Sequence, residues 1–303
     1  MPSTIRRRLD ADQPTLSLEF YPPKTAAGQR SLWETVCDLE DLAPDFVSIT
    51  YGAAGSTRDR TLDLVRRIRS ETSLRPVMHL TCVGSTRDEL AATAAELLDA
   101  GITDVLALRG DPPGGPGAEW EATAGGFRYA AELVELLAGL GAFAVGVAAF
   151  PEGHPESPSM TDDVRHLAAK CAAGAEYAIT QFFFDAKQYT AFVEELRAVG
   201  CATPVVPGLL PVTNPAQTRR FAAKAGASFP PELDAAFQEV EHDPDAVYEF
   251  GVDQAVRLAE DLLAAGAPGL HFYTLNRVAA TRDVCTRLRR ASVWRTPPGD
   301  ASA

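Results

Sequence analysis

Short apolar runs rich in β-branched and aromatic residues recur along the chain, each bounded by Gly, Pro or Asp. They fall at residues 16–21, 46–51, 76–83, 104–109, 142–150, 177–184, 204–210 and 269–275. Eight such runs are what a closed parallel barrel requires. Between them lie stretches with helical spacing. Residues 29–42 set Leu32, Val36 and Leu39 on one stripe, and residues 86–100 do the same with Leu90, Ala94, Leu97 and Leu98. Residues 162–173 and 186–199 read similarly. Gly101, Gly141, Gly174, Gly200 and Gly266 each follow a helical stretch and precede a strand, where a left-handed C-cap is cheapest in glycine.

Strand, helix, glycine, strand, repeated, predicts a parallel sheet. The repetition alone suits an open doubly wound sheet as well as a closed barrel. The strand count, and the lack of an early G-x-G-x-x-G turn, favour an α/β fold of the (β/α)8 TIM-barrel type in a single domain. The interval 211–268 exceeds one crossover and predicts two or three helices. We expect an N-terminal extension at 1–14, the barrel at 15–290, and a disordered tail at 291–303, where Pro297, Pro298 and Gly299 interrupt any apolar period.

The 303 residues are 46% hydrophobic and 23% charged, which allows a large core and argues against global disorder. A formal net charge of −13 disfavours nucleic-acid binding. Small anionic ligands remain compatible, since they need only a local cluster of Arg and Lys. The five cysteines (Cys37, Cys82, Cys171, Cys201, Cys285) are spread out with no C-x-x-C, which fits a reducing compartment and argues against a disulfide framework or structural zinc. No apolar run reaches the length of a membrane span, and Arg6, Arg7 and Arg8 precede polar residues instead of a signal core. The expected location is the cytoplasm. A homo-oligomer is compatible with the sequence.

In a barrel, chemistry sits at the carboxyl ends of the strands. The polar residues closing the apolar runs converge there: Glu19, Thr50 with Tyr51, His79 with Thr81, Arg109-Gly110-Asp111, Phe150 followed by His154, Thr180-Gln181, and Tyr273, Asn276 and Arg277. Glu19 stands out. Period-two alternation puts Ser17, Glu19 and Tyr21 on one face and Leu18 and Phe20 on the other. A glutamate facing the barrel interior is expected to be held neutral by desolvation, as a general acid requires. A structural glutamate paired with Arg or Lys fits the position equally.

The other polar residues say less. Asp111 before Pro112 reads most simply as a turn aspartate, and the stretch 110–117 as a loop, since it lacks the lysine and hydroxyl of a P-loop. No carboxylate–histidine spacing makes His79 or His154 a metal ligand. Gln181 lies in a very apolar run, so its amide is tied to the backbone or aimed at a ligand. Met78 and Phe182–Phe184 are core, and no G-x-S-x-G elbow supports a hydrolase.

Taken together, several stretches resemble the methylenetetrahydrofolate reductase family. They are Ser-Leu-Glu-Phe-Tyr-Pro-Pro-Lys (17–24), Asp-Phe-Val-Ser-Ile-Thr-Tyr-Gly-Ala (45–53), His-Leu-Thr-Cys (79–82), Ala-Leu-Arg-Gly-Asp (107–111), Val-Ala-Ala-Phe-Pro-Glu-Gly-His-Pro-Glu (147–156), Ala-Glu-Tyr-Ala-Ile-Thr-Gln-Phe-Phe-Phe-Asp (175–185), Pro-Gly-Leu-Leu-Pro (207–211) and His-Phe-Tyr-Thr-Leu-Asn-Arg (271–277). They keep the family's order from residue 17 to 288.

The resemblance implies a barrel that binds FAD and passes hydride from NADH or NADPH to 5,10-methylenetetrahydrofolate, with the two substrates sharing one site. It implies Glu19 as the general acid on the folate nitrogen that departs when the five-membered ring opens. Asp111 would tune the flavin and stabilise the cationic iminium. Gln181 would bond either substrate and Phe221 pack against either. Thr50 would contact the nicotinamide side, and Gln217 and Arg277 the folate. The flavin contacts would be Tyr51, Ala53, His79, Arg109, Gly110, Asp111, Ala130, Phe150, His154, Ser157, Asp163, His166 and Lys170, with Arg109 and Lys170 supplying positive charge for a pyrophosphate. No metal is implied.

Two positions depart from the family's pattern: Phe150 stands where some members have Tyr, and Ala169 where some bacterial members have Arg. A flavin-free reductase that transfers hydride directly is therefore the alternative, and a non-catalytic folate- or flavin-binding paralogue a third. Glu19, Asp111 and Gln181 together argue against the third. Bacterial-like length favours NADH, and the animal members' S-adenosylmethionine-sensing domain is not expected.

Overall fold

The computed structural model of the chain describes residues 2–51, 58–112 and 118–291. Eight parallel strands, β1 (Thr15–Phe20), β2 (Phe46–Ile49), β3 (Pro76–Thr81), β4 (Asp104–Leu108), β5 (Ala144–Ala149), β6 (Tyr177–Phe182), β7 (Val205–Leu209) and β8 (Gly269–Tyr273), pair in sequence order, and β8 returns to β1. The barrel is closed, so the open-sheet alternative is excluded.

Eleven helices are formed by the described residues. A short α1 (Thr4–Leu9) precedes β1. The helices α2 (Ala26–Asp38), α3 (Arg58–Glu71), α4 (Arg87–Asp99), α5 (Ala130–Gly139), α6 (Met160–Ala172) and α7 (Ala186–Ala198) follow β1 to β6 in turn. Three helices, α8 (Pro215–Ala225), α9 (Pro231–Val240) and α10 (Pro244–Ala264), fill the long interval before β8, and α11 (Ala279–Arg290) follows it. The expected tail lies, from residue 292 on, outside the described residues.

Local chemistry sets these boundaries. Thr25, Ser159, Asp185, Asn214 and Asp243 cap helix starts by accepting backbone N–H groups, and Thr86 with Glu89 forms a reciprocal capping box. The five glycines read as C-caps all have positive φ, from +68° to +119°. The outward faces of the strands (Leu18, Val47, Met78, Val105, Val145 and their neighbours) merge with Leu32, Val65, Leu90, Leu133 and Leu196 of the helices into one core. Each such side chain contributes about 1.5–3 kcal/mol by leaving water.

The inward faces behave differently at the two ends of the barrel. Toward the amino end, Phe46, Val77, Leu106, Tyr177, Ile179 and Val206 pack together, and Ile5 and Leu9 of α1 close them over. Ser3 caps α1, its N–H reaching Glu176 Oε2 (2.9 Å), and Arg8 pairs with Asp45 (2.6 Å). With that end plugged by hydrocarbon, the inward polar residues collect at the carboxyl end.

Candidate active site

The alternation of β1 turns Ser17 and Glu19 into the barrel. Strand register sets Ser17 beside His271, and Glu19 beside Ser48 on one side and Tyr273 on the other. Three groups from three other strands then meet a single oxygen, Glu19 Oε2: His79 Nε2, His271 Nε2 and Ser48 Oγ, each 3.5 Å away. The Glu19 side chain keeps 16% of its exposure, against 6% for His79 and none for His271, so the carboxylate is deep yet reachable from the mouth. Neither Nε2 has another hydrogen-bond partner among the described residues.

This arrangement overturns the expected charge state of Glu19. Burial does push its pKa up. The His271 contact, the charges of His79 and His271, and Ser48 together outweigh burial and hold the carboxyl below its ordinary value. These contacts favour the carboxylate form of Glu19. Burial in turn holds His79 below its ordinary value, opposed in part by Glu19.

The β8–β1 side is tightly sewn. Thr274 donates its hydroxyl to the Glu19 carbonyl (2.6 Å), and Asn276 bridges the backbone N–H (3.0 Å) and carbonyl (2.8 Å) of Tyr21. Leu275 and Asn276 adopt left-handed φ of +49° and +59° to make that clasp. Tyr273 donates to the Thr180 carbonyl (2.7 Å), and burial keeps its phenol protonated by raising its pKa well above the usual range.

A second group rims the mouth after β4 and β5. Gly110 has φ +84°, and a Cβ there would lie 2.5 Å from Val83 Cγ1, so only glycine carries the chain from Arg109 to the exposed Asp111. The Gly110 carbonyl accepts from Trp120 Nε1 (3.2 Å), and the Arg109 guanidinium lies 5.0 Å from the Trp120 ring. Arg109 also makes a two-pronged pair with Glu156 (2.6 and 2.8 Å). Phe150 and His154 stack edge to face at 4.7 Å. His154 Nδ1 accepts the Glu156 N–H (3.1 Å), which fixes the Nε2–H tautomer. Asp163 is buried, holding the His154 N–H with one oxygen and the Ser157 hydroxyl (2.6 Å) with the other.

Lys170 is the informative member of this group. Its half-buried stem carries an enclosed Nζ that donates to the Ala148 carbonyl at 2.6 Å. Burial pulls its pKa down to about 8, only partly offset by the nearby Cys171 and Asp163. An ammonium has three donors, and one backbone oxygen is a poor match for a buried charge. The donor set fits an incoming anion.

The remaining expected residues are dispersed around these two groups. Gln181 is half-buried on β6, its Oε1 accepting the Phe182 N–H (3.0 Å). Phe221 packs on α8 against the Phe182, Leu210 and Ala222 cluster, which Tyr273 also joins. Gln217 is half-buried in the first turn of α8, where its N–H meets the Asn214 cap. Thr50 follows β2 and accepts the Thr61 hydroxyl through its carbonyl (3.1 Å), and Tyr51 packs on the outer core. Ala130 begins α5, His166 is exposed on α6, and Arg277 is exposed before α11. Ala53 lies outside the described residues. Sequence reasoning missed Ser17, Ser48 and His271. The signal available was register: Ser17 shares the Glu19 face of β1, and Ser48 and His271 lie on the two strands bonded to β1. Among the described residues no group of three or more His, Cys, Asp or Glu side chains is arranged to hold a metal ion, and no helix is long and apolar enough to cross a membrane.

Known proteins resemble this chain in fold and in sequence. Among solved structures, a phosphoenolpyruvate phosphomutase from Streptomyces platensis matches 99% of this chain and 90% of its own with a TM-score of 0.54 and 13% identity, a likeness of fold alone. A 5,10-methylenetetrahydrofolate reductase of Salmonella typhimurium is 38% identical over 91% of both chains. An Arabidopsis thaliana methylenetetrahydrofolate reductase (NADH) is 32% identical, covering 97% of this chain and 52% of the plant protein. The family model described as methylenetetrahydrofolate reductase matches residues 4–289. With nearly the whole described chain so covered, this protein belongs to the methylenetetrahydrofolate reductase family.

Proposed function

We propose that this protein is a cytoplasmic, FAD-dependent 5,10-methylenetetrahydrofolate reductase that takes hydride from NADH and gives 5-methyltetrahydrofolate. The observation that carries this reading is Glu19: a carboxylate inside the barrel, at its open end, bracketed by two imidazoles. A purely structural glutamate would be expected to pair with Arg or Lys, and among the described residues the partners of Glu19 are His79, His271 and Ser48. The five cysteines are all free, which suits a reducing compartment.

Lys170 and Arg109 would hold the pyrophosphate, His154, Ser157 and Asp163 shape the wall around it, and Phe150 pack against the ring system. Bound there, the flavin supplies the hydride relay between nicotinamide and folate. The chain's own tasks are distinct from that relay. Phe221 and Gln181 orient whichever substrate occupies the shared site, the first by apolar contact and the second by its amide. Glu19 delivers a proton to the folate nitrogen that leaves the opening ring. Asp111 on the rim places negative charge near the cationic one-carbon unit. The packed amino end excludes bulk water from below.

The test is Glu19→Gln, assayed in two halves by rapid mixing under anaerobic conditions. Flavin bleaching by NADH should stay near the wild-type rate, while reoxidation by methylenetetrahydrofolate falls at least about 100-fold, the lower end of general acid catalysis. Equal loss in both halves would make Glu19 structural. A colourless wild-type protein that consumes NADH only with folate present would replace the flavin reading by direct hydride transfer.

A further inference from the structure

Glu19 must carry a proton before it can give one, and its surroundings favour the carboxylate form. His271 lies beside it, fully buried, with each ring nitrogen engaged differently. Nδ1 is 2.9 Å from Ser17 Oγ, which in turn is 3.3 Å from the Leu270 carbonyl oxygen. Nε2 is 3.5 Å from Glu19 Oε2 and has no other partner among the described residues. We propose that His271 is the proton partner of Glu19, a positioning residue that keeps a proton on Nε2 in the resting enzyme and passes it to Glu19 Oε2 as folate enters. The proposal rests on the reading of Glu19 as the general acid.

Ser17 bears on the tautomer of His271. A hydroxyl has one proton, and the Leu270 carbonyl can only accept. We assign the Ser17 hydroxyl proton to the Leu270 carbonyl (3.3 Å), which leaves the 2.9 Å contact to Nδ1–H donating into Ser17 Oγ; the reverse assignment would put a single ring proton on Nε2. Nδ1 then keeps its proton in the charged and the neutral imidazole alike, and the titrating atom is Nε2, the one that faces Glu19. In the transfer the Nε2–H bond breaks and an Oε2–H bond forms. Imidazolium becomes the Nδ1–H imidazole, carboxylate becomes carboxylic acid, and no heavy atom changes partner. Folate entry displaces water from the mouth, and lower polarity favours the neutral pair over the ionic one. After Glu19 protonates the leaving nitrogen, the pair is one proton short and refills from solvent through the same mouth.

The groups facing His271 come from β1, β2, β3 and β8. They are Glu19 from β1, His79 across the same carboxylate oxygen from β3, Tyr273 edge-on at 5.2 Å on its own strand, and the Phe46 ring from β2 at 6.3 Å. The β7 neighbour in register is Gly208. Tyr273 stays protonated, and burial holds His79 below its ordinary value.

The chain has five histidines, so ¹⁵N-histidine NMR of the flavin-loaded, full-length protein resolves each ring, and His271→Gln identifies the signal by its loss. The expected wild-type signature is one ring that keeps Nδ1 protonated throughout a pH titration while Nε2 titrates, with a midpoint that moves in Glu19→Gln. In Ser17→Ala, which leaves the imidazole in place, that Nδ1 preference should be lost. His271→Gln, with a fixed amide in place of a titrating nitrogen, should slow folate-dependent reoxidation at least about tenfold and change its pH profile. A His271 ring protonated only at Nε2, or one blind to Glu19→Gln, would overturn the proposal. So would a His271→Gln enzyme with the wild-type pH profile, which would make the ring merely structural. Failure of the wild-type protein to reduce methylenetetrahydrofolate at all, with the coupled titration intact, would instead sink the reading of the function.

Discussion

Lys170→Met separates the cost of a buried charge from its use. In the folded chain burial lowers the lysine pKa from 10.5 to about 8. At about 1.4 kcal/mol per unit, holding the ammonium in place costs on the order of 3 kcal/mol at neutral pH. Methionine has a similar length and no charge, so it removes that cost. It also removes the 2.6 Å bond to the Ala148 carbonyl, a charged hydrogen bond contributing about 1.5–3 kcal/mol. The balance is a gain of about 1 kcal/mol for the flavin-free protein.

Linkage gives the pH dependence. The folded pKa is depressed, so the unfolded chain binds more protons between pH 8 and 10.5, and the wild type gains stability across that window. The advantage of Lys170→Met should therefore be full at pH 7 and shrink by pH 9.5. Flavin binding should move oppositely, weakening about 10- to 100-fold through loss of one charged contact to phosphate. Urea melts of flavin-free protein at both pH values, with flavin titrations by fluorescence quenching, read both quantities. A variant that is less stable than wild type at pH 7 yet binds flavin normally would refute the reasoning. Lys170 would then be a strut between α6 and β5.

Other expectations follow from the same geometry. Gly146→Ala would place a Cβ 2.4 Å from the Tyr177 ring inside the plugged end of the barrel, and overpacking there should cost about 1–3 kcal/mol in urea denaturation; an unchanged midpoint would show that the tyrosine can move. Glu156→Gln frees Arg109 from its two-pronged partner, so flavin affinity should rise about two- to fivefold, and a fall would mean that Glu156 helps to hold the flavin. His79 has a depressed folded pKa, so its contribution to stability is complete above about pH 6.5 and is lost as pH falls through the folded value. Denaturation at pH 7.5 and 5.5 should show a smaller acid loss for His79→Gln than for wild type, and an equal loss would place the acid sensitivity elsewhere.

The elements legible in the sequence were those with a short-range signal. Parallel strands buried on both faces read as apolar runs, and the left-handed glycines at 101, 141, 174, 200 and 266 punctuate them because no other residue adopts that backbone cheaply. Glu19 was legible because a carboxylate interrupts an apolar strand. Its protonation was not, since the groups that hold it ionised arrive from β2, β3 and β8 and leave no mark near residue 19. The α1 plug was missed for a related reason: residues 4–9 offer only Ile5 and Leu9 as apolar positions, too few for a period, and their burial depends on the barrel above them. The pairing of Arg109 with Glu156 likewise joins two loops whose approach only the closed sheet decides.

The bond between the first and last strands has a consequence for how the enzyme comes into being on the ribosome. Glu19 and His271 face each other across that seam, one contributed by the first strand of the barrel to be synthesised and the other by the last. Such a distant pairing is slow to form and cannot precede the last strand. A nascent or prematurely terminated chain thus carries the acid without its imidazole, and with an exposed β1 edge that invites aggregation or chaperone capture. Catalytic competence and completion of the barrel arrive in the same closing event.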